Sequence, residues 1–218
     1  MATMNKTVRR SPIALAVLAL LYESPMHPYH MQHLIKERGK DAVINVRLRA
    51  SLYQTIERLV RAQLIAVRET TRKEKRPERT IYELTAVGRE TMLTWMREML
   101  STPAREFPEF PAALAYLPLL TPTDAREQLE RRVAALTAEL DRIDGERQAA
   151  AEVIPRLFLV ELEYLAAMNH TELAWVQAIL RDLDSGQLTW SDEWLHAVAA
   201  QVEQGEPWRQ ERQDSNEQ

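Results

Sequence analysis

The 218-residue sequence contains no cysteine. That excludes a disulfide framework, a cysteine zinc site and a cysteine nucleophile together, and it fits a reducing cytoplasmic compartment. Glycine is scarce, with five residues in all. No Gly-x-Gly-x-x-Gly turn, phosphate-binding glycine loop or Gly-x-Ser-x-Gly elbow is present, so the usual frames for nucleotide or acyl chemistry are missing. Glu161 and Glu163 stand two apart on a helix and point different ways, which makes no acid/base pair. Neither an enzyme activity nor a cofactor is expected. No apolar run reaches the length of about 18 residues that reads as a membrane span. Residues 13–22 are apolar and follow Lys6, Arg9 and Arg10, like a secretory leader, but the run ends in Tyr22-Glu23-Ser24-Pro25 with no small-residue cleavage site. We read it as a buried first helix of a cytoplasmic protein with no membrane partner.

What the chain does have is a division of charge. Residues 1–103 carry 18 Lys+Arg against 10 Asp+Glu, residues 104–218 carry 10 against 22, and the whole is only −4. A basic half joined to an acidic half suits a polyanion-binding module beside a module that does not bind polyanions. Charge alone is weak evidence, because a basic solvated face is common.

The order of elements is more informative. Ser11-Pro12 is an N-cap with a first-turn proline and predicts a helix to about residue 22. Pro28 opens a second helix that Gly39 stops. A third covers residues 51–63, where Leu52, Ile56, Leu59 and Val60 recur at helical spacing. Residues 64–71 and 79–84 alternate and are rich in Ile, Val, Thr and Tyr, so both read as strands. The charged loop Arg72-Lys73-Glu74-Lys75-Arg76-Pro77-Glu78 joins them. A fourth helix follows at 85–100. Three helices and a two-stranded basic hairpin in this order predict a winged helix-turn-helix.

Past the connector prolines Pro103, Pro108 and Pro111, the rest reads as helical. A short helix at 112–120 is followed by Thr121-Pro122-Thr123-Asp124, a clean helix start. Leu129, Val133, Leu136, Leu140 and Ile143 then repeat with 4-3-4-3 spacing, a coiled-coil seam of about two heptads. Pro155 marks the next long helix, to about 183, and a last one spans 191–204. The fold class is therefore mainly α: a winged helix-turn-helix DNA-binding domain at 1–103, an all-helical dimerisation and effector domain at 104–205, and a polar, disordered tail at 206–218.

On a wheel of about 100° per residue, Leu52, Ile56 and Leu59 define the buried side of the third helix. Gln54, Arg58 and Arg61 fall opposite, with Ser51 and Thr55 on one flank. Placed in a major groove, Ser51, Gln54 and Arg58 are the positions that reach in. Arg can bond guanine bidentately and Gln can bond adenine. An ordinary solvated helix face has the same composition, and it is the hairpin that tips the balance. Arg72, Lys73, Lys75, Arg76 and Arg79 crowd one tip, as suits a wing lying along phosphates, although Glu74 and Glu78 offset part of that charge.

At these residues a family resemblance emerges. Met26-His27-Pro28-Tyr29, Ser51-Leu52-Tyr53, Leu59 followed by Gln63-Leu64-Ile65, and Tyr82-Glu83-Leu84-Thr85 with Gly88 resemble the PadR family of repressors over residues 11–100. The acidic remainder is similar to the C-terminal domain of that family's longer members. The resemblance implies a homodimeric winged-helix repressor on a pseudo-palindromic double-stranded DNA operator, released by a small hydrophobic or aromatic effector. It also adds Tyr53 to the DNA-contact set. The family often has glycine where this chain has Pro28, Ala50 and Gln63. The side chain of Gln63 disfavours positive φ, so a differently shaped turn into the wing is expected. Two other classes share the sequence features: a non-specific architectural DNA binder, and a winged helix that meets an acidic protein.

Two further clusters have plainer explanations. His27, His30 and His33 are spaced by three, and His30, His33 and Glu37 share a helix face that could offer ligands to a metal; His27 fits the helix start and polar positions on a partly exposed helix account for the others better, so no metal is expected. Trp95 and Met99, with Phe107, Phe110 and Trp175, are candidate linings of an effector pocket. Tyr116 and Phe158 are alternatives, and core or dimer contact explains a Trp-and-Met stripe more often.

Overall fold

A computed structural model describes residues 9–46, 49–71 and 79–203. It divides into two compact units, Met1–Glu106 and Phe107–Gln218. The proposed tail at 206–218 lies outside the described residues.

In the first unit the order is α1 (Pro12–Glu23), α2 (Pro28–Glu37), a 3-10 turn at Lys40–Ala42, α3 (Arg49–Arg61), β1 (Ile65–Thr71), β2 (Arg79–Leu84) and α4 (Ala86–Ser101). Side-chain oxygens or nitrogens cap the helix starts. Ser11 Oγ accepts from Ala14 N at 3.3 Å, His27 Nδ1 from Tyr29 N at 3.0 Å, and Thr85 Oγ1 from Gly88 N at 2.9 Å. Pro12 and Pro28 fill the first turns, where no amide partner is lost. Past α2, Gly39 takes φ +64°, a left-handed stop that only glycine adopts without cost.

The core joins these elements through one apolar cluster. Val17 and Leu18 of α1, Met31 of α2, Leu52, Ile56 and Leu59 of α3, and Ile65 of β1 are fully enclosed, with Met92 and Trp95 of α4 closing it. The run at 13–22 is thus the central core helix. Strands β1 and β2 pair antiparallel from Ile65↔Leu84 to Thr71↔Arg79, with a bulge between Val67 and Glu69. The extra residue strengthens the local twist of the hairpin. Met26 extends the sheet by one residue, exchanging both backbone hydrogen bonds with Tyr82 at 3.1 Å.

The turn from α3 into β1 corrects the expectation for Gln63. Its φ is +59°, the one positive value at a non-glycine residue among the described residues. Gln63 N donates to Val60 O (2.9 Å) and Leu64 N to Leu59 O (3.0 Å). Those two bonds, with Leu59 and Leu64 both buried, make a Schellman close. The turn keeps the glycine-type geometry because the bonds and the apolar pair outweigh a left-handed cost of about 1 kcal/mol.

In the second unit the order is α5 (Glu109–Leu114), a 3-10 turn at Leu117–Leu119, α6 (Pro122–Ala151), a 3-10 turn at Arg156–Phe158, α7 (Val160–Asp184) and α8 (Asp192–Glu203). Helix α5 is shorter than expected because Pro118 cannot continue it. Pro155 opens only the short turn before α7. Arg126, near the start of α6, bonds Asp184 at the end of α7 (2.7 Å), and Arg132 pairs with Glu172, so α6 and α7 run antiparallel. The 4-3-4-3 seam turns into this hairpin. Leu140 and Ile143 pack on Leu159, Leu162 and Ala166 of the same chain. The seam therefore has an intrachain partner: a loop of only 152–159 brings α7 back before a second copy can compete. Among the described helices none is long and apolar enough to cross a membrane.

Candidate nucleic-acid interface

Helix α3 is locked on its inner side by Leu52, Ile56 and Leu59, each at most 1 % exposed. Thr55 joins them at 2 %, contrary to its expected place on the reading flank. Its Oγ1 accepts from Arg58 Nη2 at 3.1 Å, so the buried hydroxyl is satisfied. Arg58 is consequently half-buried and leans toward that edge, with its Nε enclosed and without a hydrogen-bond partner. Ser51 is also half-buried.

Burial of Thr55 turns the open face of α3 away from Ser51. Ala50, Gln54, Glu57 and Arg61 are all exposed, and their spacing of four, three and four aligns them along a single ridge. Tyr53, 44 % exposed, flanks it. Gln54 and Arg61 are thus presented to solvent as the helical wheel predicts, and Tyr53 is exposed beside them. Glu57 is the position that sequence reasoning missed. Its signal is its spacing from Gln54 and Arg61, which an exposed Thr55 would hide.

The base of the wing adjoins this ridge. The Tyr82 phenol of β2 is half-buried, and its pKa is raised first by that burial, then by the negative charge of Glu57 and by Tyr53. Of the predicted wing cations, Lys73, Lys75 and Arg76 lie outside the described residues, and for Arg79 only its backbone place at the start of β2 is described. Thr85 fixes where the wing leaves the core. Its amide donates to Leu64 O at 3.2 Å, and its hydroxyl lies 2.8 Å from Gln63 O and 3.0 Å from Leu64 O.

With this geometry in place, the comparison with known families is specific. Residues 17–93 match the transcriptional regulator PadR-like family. The sequence resemblance to PadR regulators stands on that match, and the PadR-like segment runs from within α1 to the middle of α4. Among solved structures, Bacillus subtilis PadR in complex with operator DNA is similar at 17% identity and a TM-score of 0.64, over 81% of this chain and 99% of that one. The same protein in complex with p-coumaric acid gives 18% and 0.62, over 79% and 98%. The Vibrio cholerae virulence activator AphA gives 15% and 0.60, over 79% and 98%. At these identities the likeness is one of fold: a winged helix with helical C-terminal elements. Comparison with curated protein sequences finds no match.

The proposed effector linings are divided between the two units. Trp95 belongs to the core of the PadR-like unit at 8 % exposure, and Met99 is half-buried beyond it. Phe107 is 83 % exposed. Phe110 and Trp175 do meet, edge to face at 6.1 Å, and the Arg132 guanidinium stacks 3.5 Å above Phe110. Tyr116 and Phe158 are exposed elsewhere on the second unit. A separate open hollow of about 420 Å³ lies at the α6–α7 corner, between Arg147, Ile154, Arg156 and Glu163. On α2 the His30 and His33 rings stack at 6.5 Å, and His33 Nε2 lies 3.5 Å from Glu37. Among the described residues no three ligands converge as a metal would need.

Proposed function

We propose that this chain is a sequence-specific, DNA-binding transcriptional repressor, acting as a homodimer on a pseudo-palindromic operator. The observation that carries the reading is the polar ridge of α3, held outward by a fully buried inner face in a PadR-like winged helix. In a major groove, Tyr53, Gln54 and Arg61 meet base edges or flanking phosphates, and the wing cations Lys73, Lys75, Arg76 and Arg79 follow the backbone. Half-sites then lie about one helical turn, or a multiple of it, apart. Arg58, anchored on Thr55, is the reader with the shortest reach.

Dimerisation is assigned to the second unit. With the α6 seam occupied, α7 still exposes Val160, Tyr164, Met168 and Trp175, positions that fall within one side of a helix. Such a stripe suits a second copy.

Effector release is what the PadR resemblance implies, and B. subtilis PadR, a neighbour in fold, is solved in complex with p-coumaric acid. In this chain Trp175, 44 % exposed, lies beside Phe110 and Arg132; a small aromatic acid would stack on Trp175 and share the Arg132 guanidinium with Glu172. A ligand that prefers the DNA-incompetent state by about 3 kcal/mol lowers DNA affinity roughly 150-fold.

Gel-shift titration against the promoter region next to the protein's own gene, compared with random DNA of equal length at about 150 mM salt, tests the reading. A preference of about a thousand-fold is expected for a specific regulator. Equal affinity for both, falling steeply with salt, identifies the architectural alternative.

A further inference from the structure

The centre of the α3 ridge is a carboxylate. Glu57 lies between Gln54 and Arg61 on the exposed face, and it forms no ion pair with any described cation. Arg61, one turn further on, does not neutralise it. The negative charge of Glu57 is the second cause, after burial, of the raised Tyr82 pKa. On a helix that lies against polyanionic DNA, an unneutralised carboxylate weakens binding to every sequence through phosphate repulsion. That loss is offset only where the carboxylate meets a hydrogen-bond donor, and the donors that a major groove presents are the exocyclic amines of cytosine and adenine.

These two amines differ in what lies beside them. Adenine N6 is flanked by the N7 acceptor, which repels a carboxylate. Cytosine N4 has a C–H edge on that side. A carboxylate therefore favours cytosine. We infer that Glu57 is a base-reading residue of this chain, accepting a hydrogen bond from cytosine N4 and making a C·G pair a required element of each half-site. The inference rests on the proposed DNA reading. It assigns a role to a residue in the middle of the open face, where the basic and amide residues around it supply affinity and Glu57 supplies discrimination. The same carboxylate acts against non-specific binding, because its repulsion is felt on every sequence that lacks the amine.

The test is selection of bound duplexes from a random-sequence pool by the full chain, repeated with Glu57→Ala and Glu57→Gln. Affinities are then measured on the selected site and on copies with each selected C·G pair replaced in turn. Glu57 is exposed, and thermal melting checks that both variants keep the fold. Wild type is expected to select cytosine at one position per half-site, at least tenfold over other bases. Glu57→Ala should lose that preference, to within about twofold, and keep the others. Glu57→Gln should shift the position toward adenine, which a side-chain amide bonds through N6 and N7. If Glu57→Ala tightens binding to all sequences alike and leaves every preference intact, Glu57 is only a repelling charge and the inference is overturned while the DNA reading stands. If wild type selects no sequence at all, the DNA reading itself fails, and the inference with it.

Discussion

A β-carbon on Gly88 would stand 1.9 Å from the carbonyl oxygen of Leu64. Helix α4 and the base of the wing touch backbone to backbone at that point, and the same Leu64 carbonyl receives the amide of Thr85 at 3.2 Å. The wing is thus set by a close approach that only glycine permits, immediately after an N-cap threonine.

Gly88→Ala must push α4 from the wing base, because the obstructing atoms are backbone and cannot rotate away. A loss of about 3 kcal/mol is expected from overpacking of this kind. Urea denaturation of the variant against wild type measures it. A midpoint unchanged from wild type would mean that the two backbones can separate freely.

Gln63→Gly should move stability the other way. Gln63 holds φ +59°, which glycine adopts without strain; relief of about 1 kcal/mol, less the extra chain entropy of glycine, leaves an expected gain of about 0.5 kcal/mol. DNA affinity should not change, since the Schellman bonds use only backbone atoms.

Acid should weaken the first unit in part through Glu23. Arg38 donates to both of its carboxylate oxygens, at 2.6 and 2.8 Å, and this hydrogen bonding holds the Glu23 pKa below its ordinary value of 4.5. A depressed folded pKa means stability that is fully present above 4.5 and lost as pH falls through the folded value. Both side chains are more than 40 % exposed, so solvent screening limits the effect to roughly 0.5 kcal/mol. Stability measured from pH 6 to about 3 should fall less steeply in Glu23→Gln than in wild type.

Charging the α7 stripe should separate the proposed dimer. Tyr164 and Met168 are 64 % and 52 % exposed and face away from the α6 hairpin core. Tyr164→Glu with Met168→Glu is expected to keep helicity and to sediment as a monomer, with operator affinity reduced at least tenfold because two half-sites are no longer bound together. Sedimentation unchanged from wild type would remove α7 from the interface.

Sequence alone determined the order of elements and most of their ends, because those depend on neighbours in the chain. Ser11-Pro12, His27-Pro28 and Thr121-Pro122 cap helices with their own side chains, Gly39 stops one, and alternation at 65–71 and 79–84 marks the wing. The short motifs from Met26 to Gly88 were enough to point to the PadR family. What the tertiary structure decided depends on residues distant in the chain. Thr55 reads as a polar flank until Arg58 satisfies its hydroxyl and packing buries it, and that burial rotates the open face of α3 to Glu57. Gln63 reads as unsuited to a left-handed turn until the bonds to Leu59 and Val60 and the buried Leu59–Leu64 pair impose one. The seam from Leu129 to Ile143 is equally suited to a second copy or to the chain's own next helix. Proximity chose the latter, since α7 returns over a loop of 152–159 and is present at far higher effective concentration than any partner. A local pattern fixes which side chains seek burial, whereas the partner that buries them is set only when the whole chain has packed.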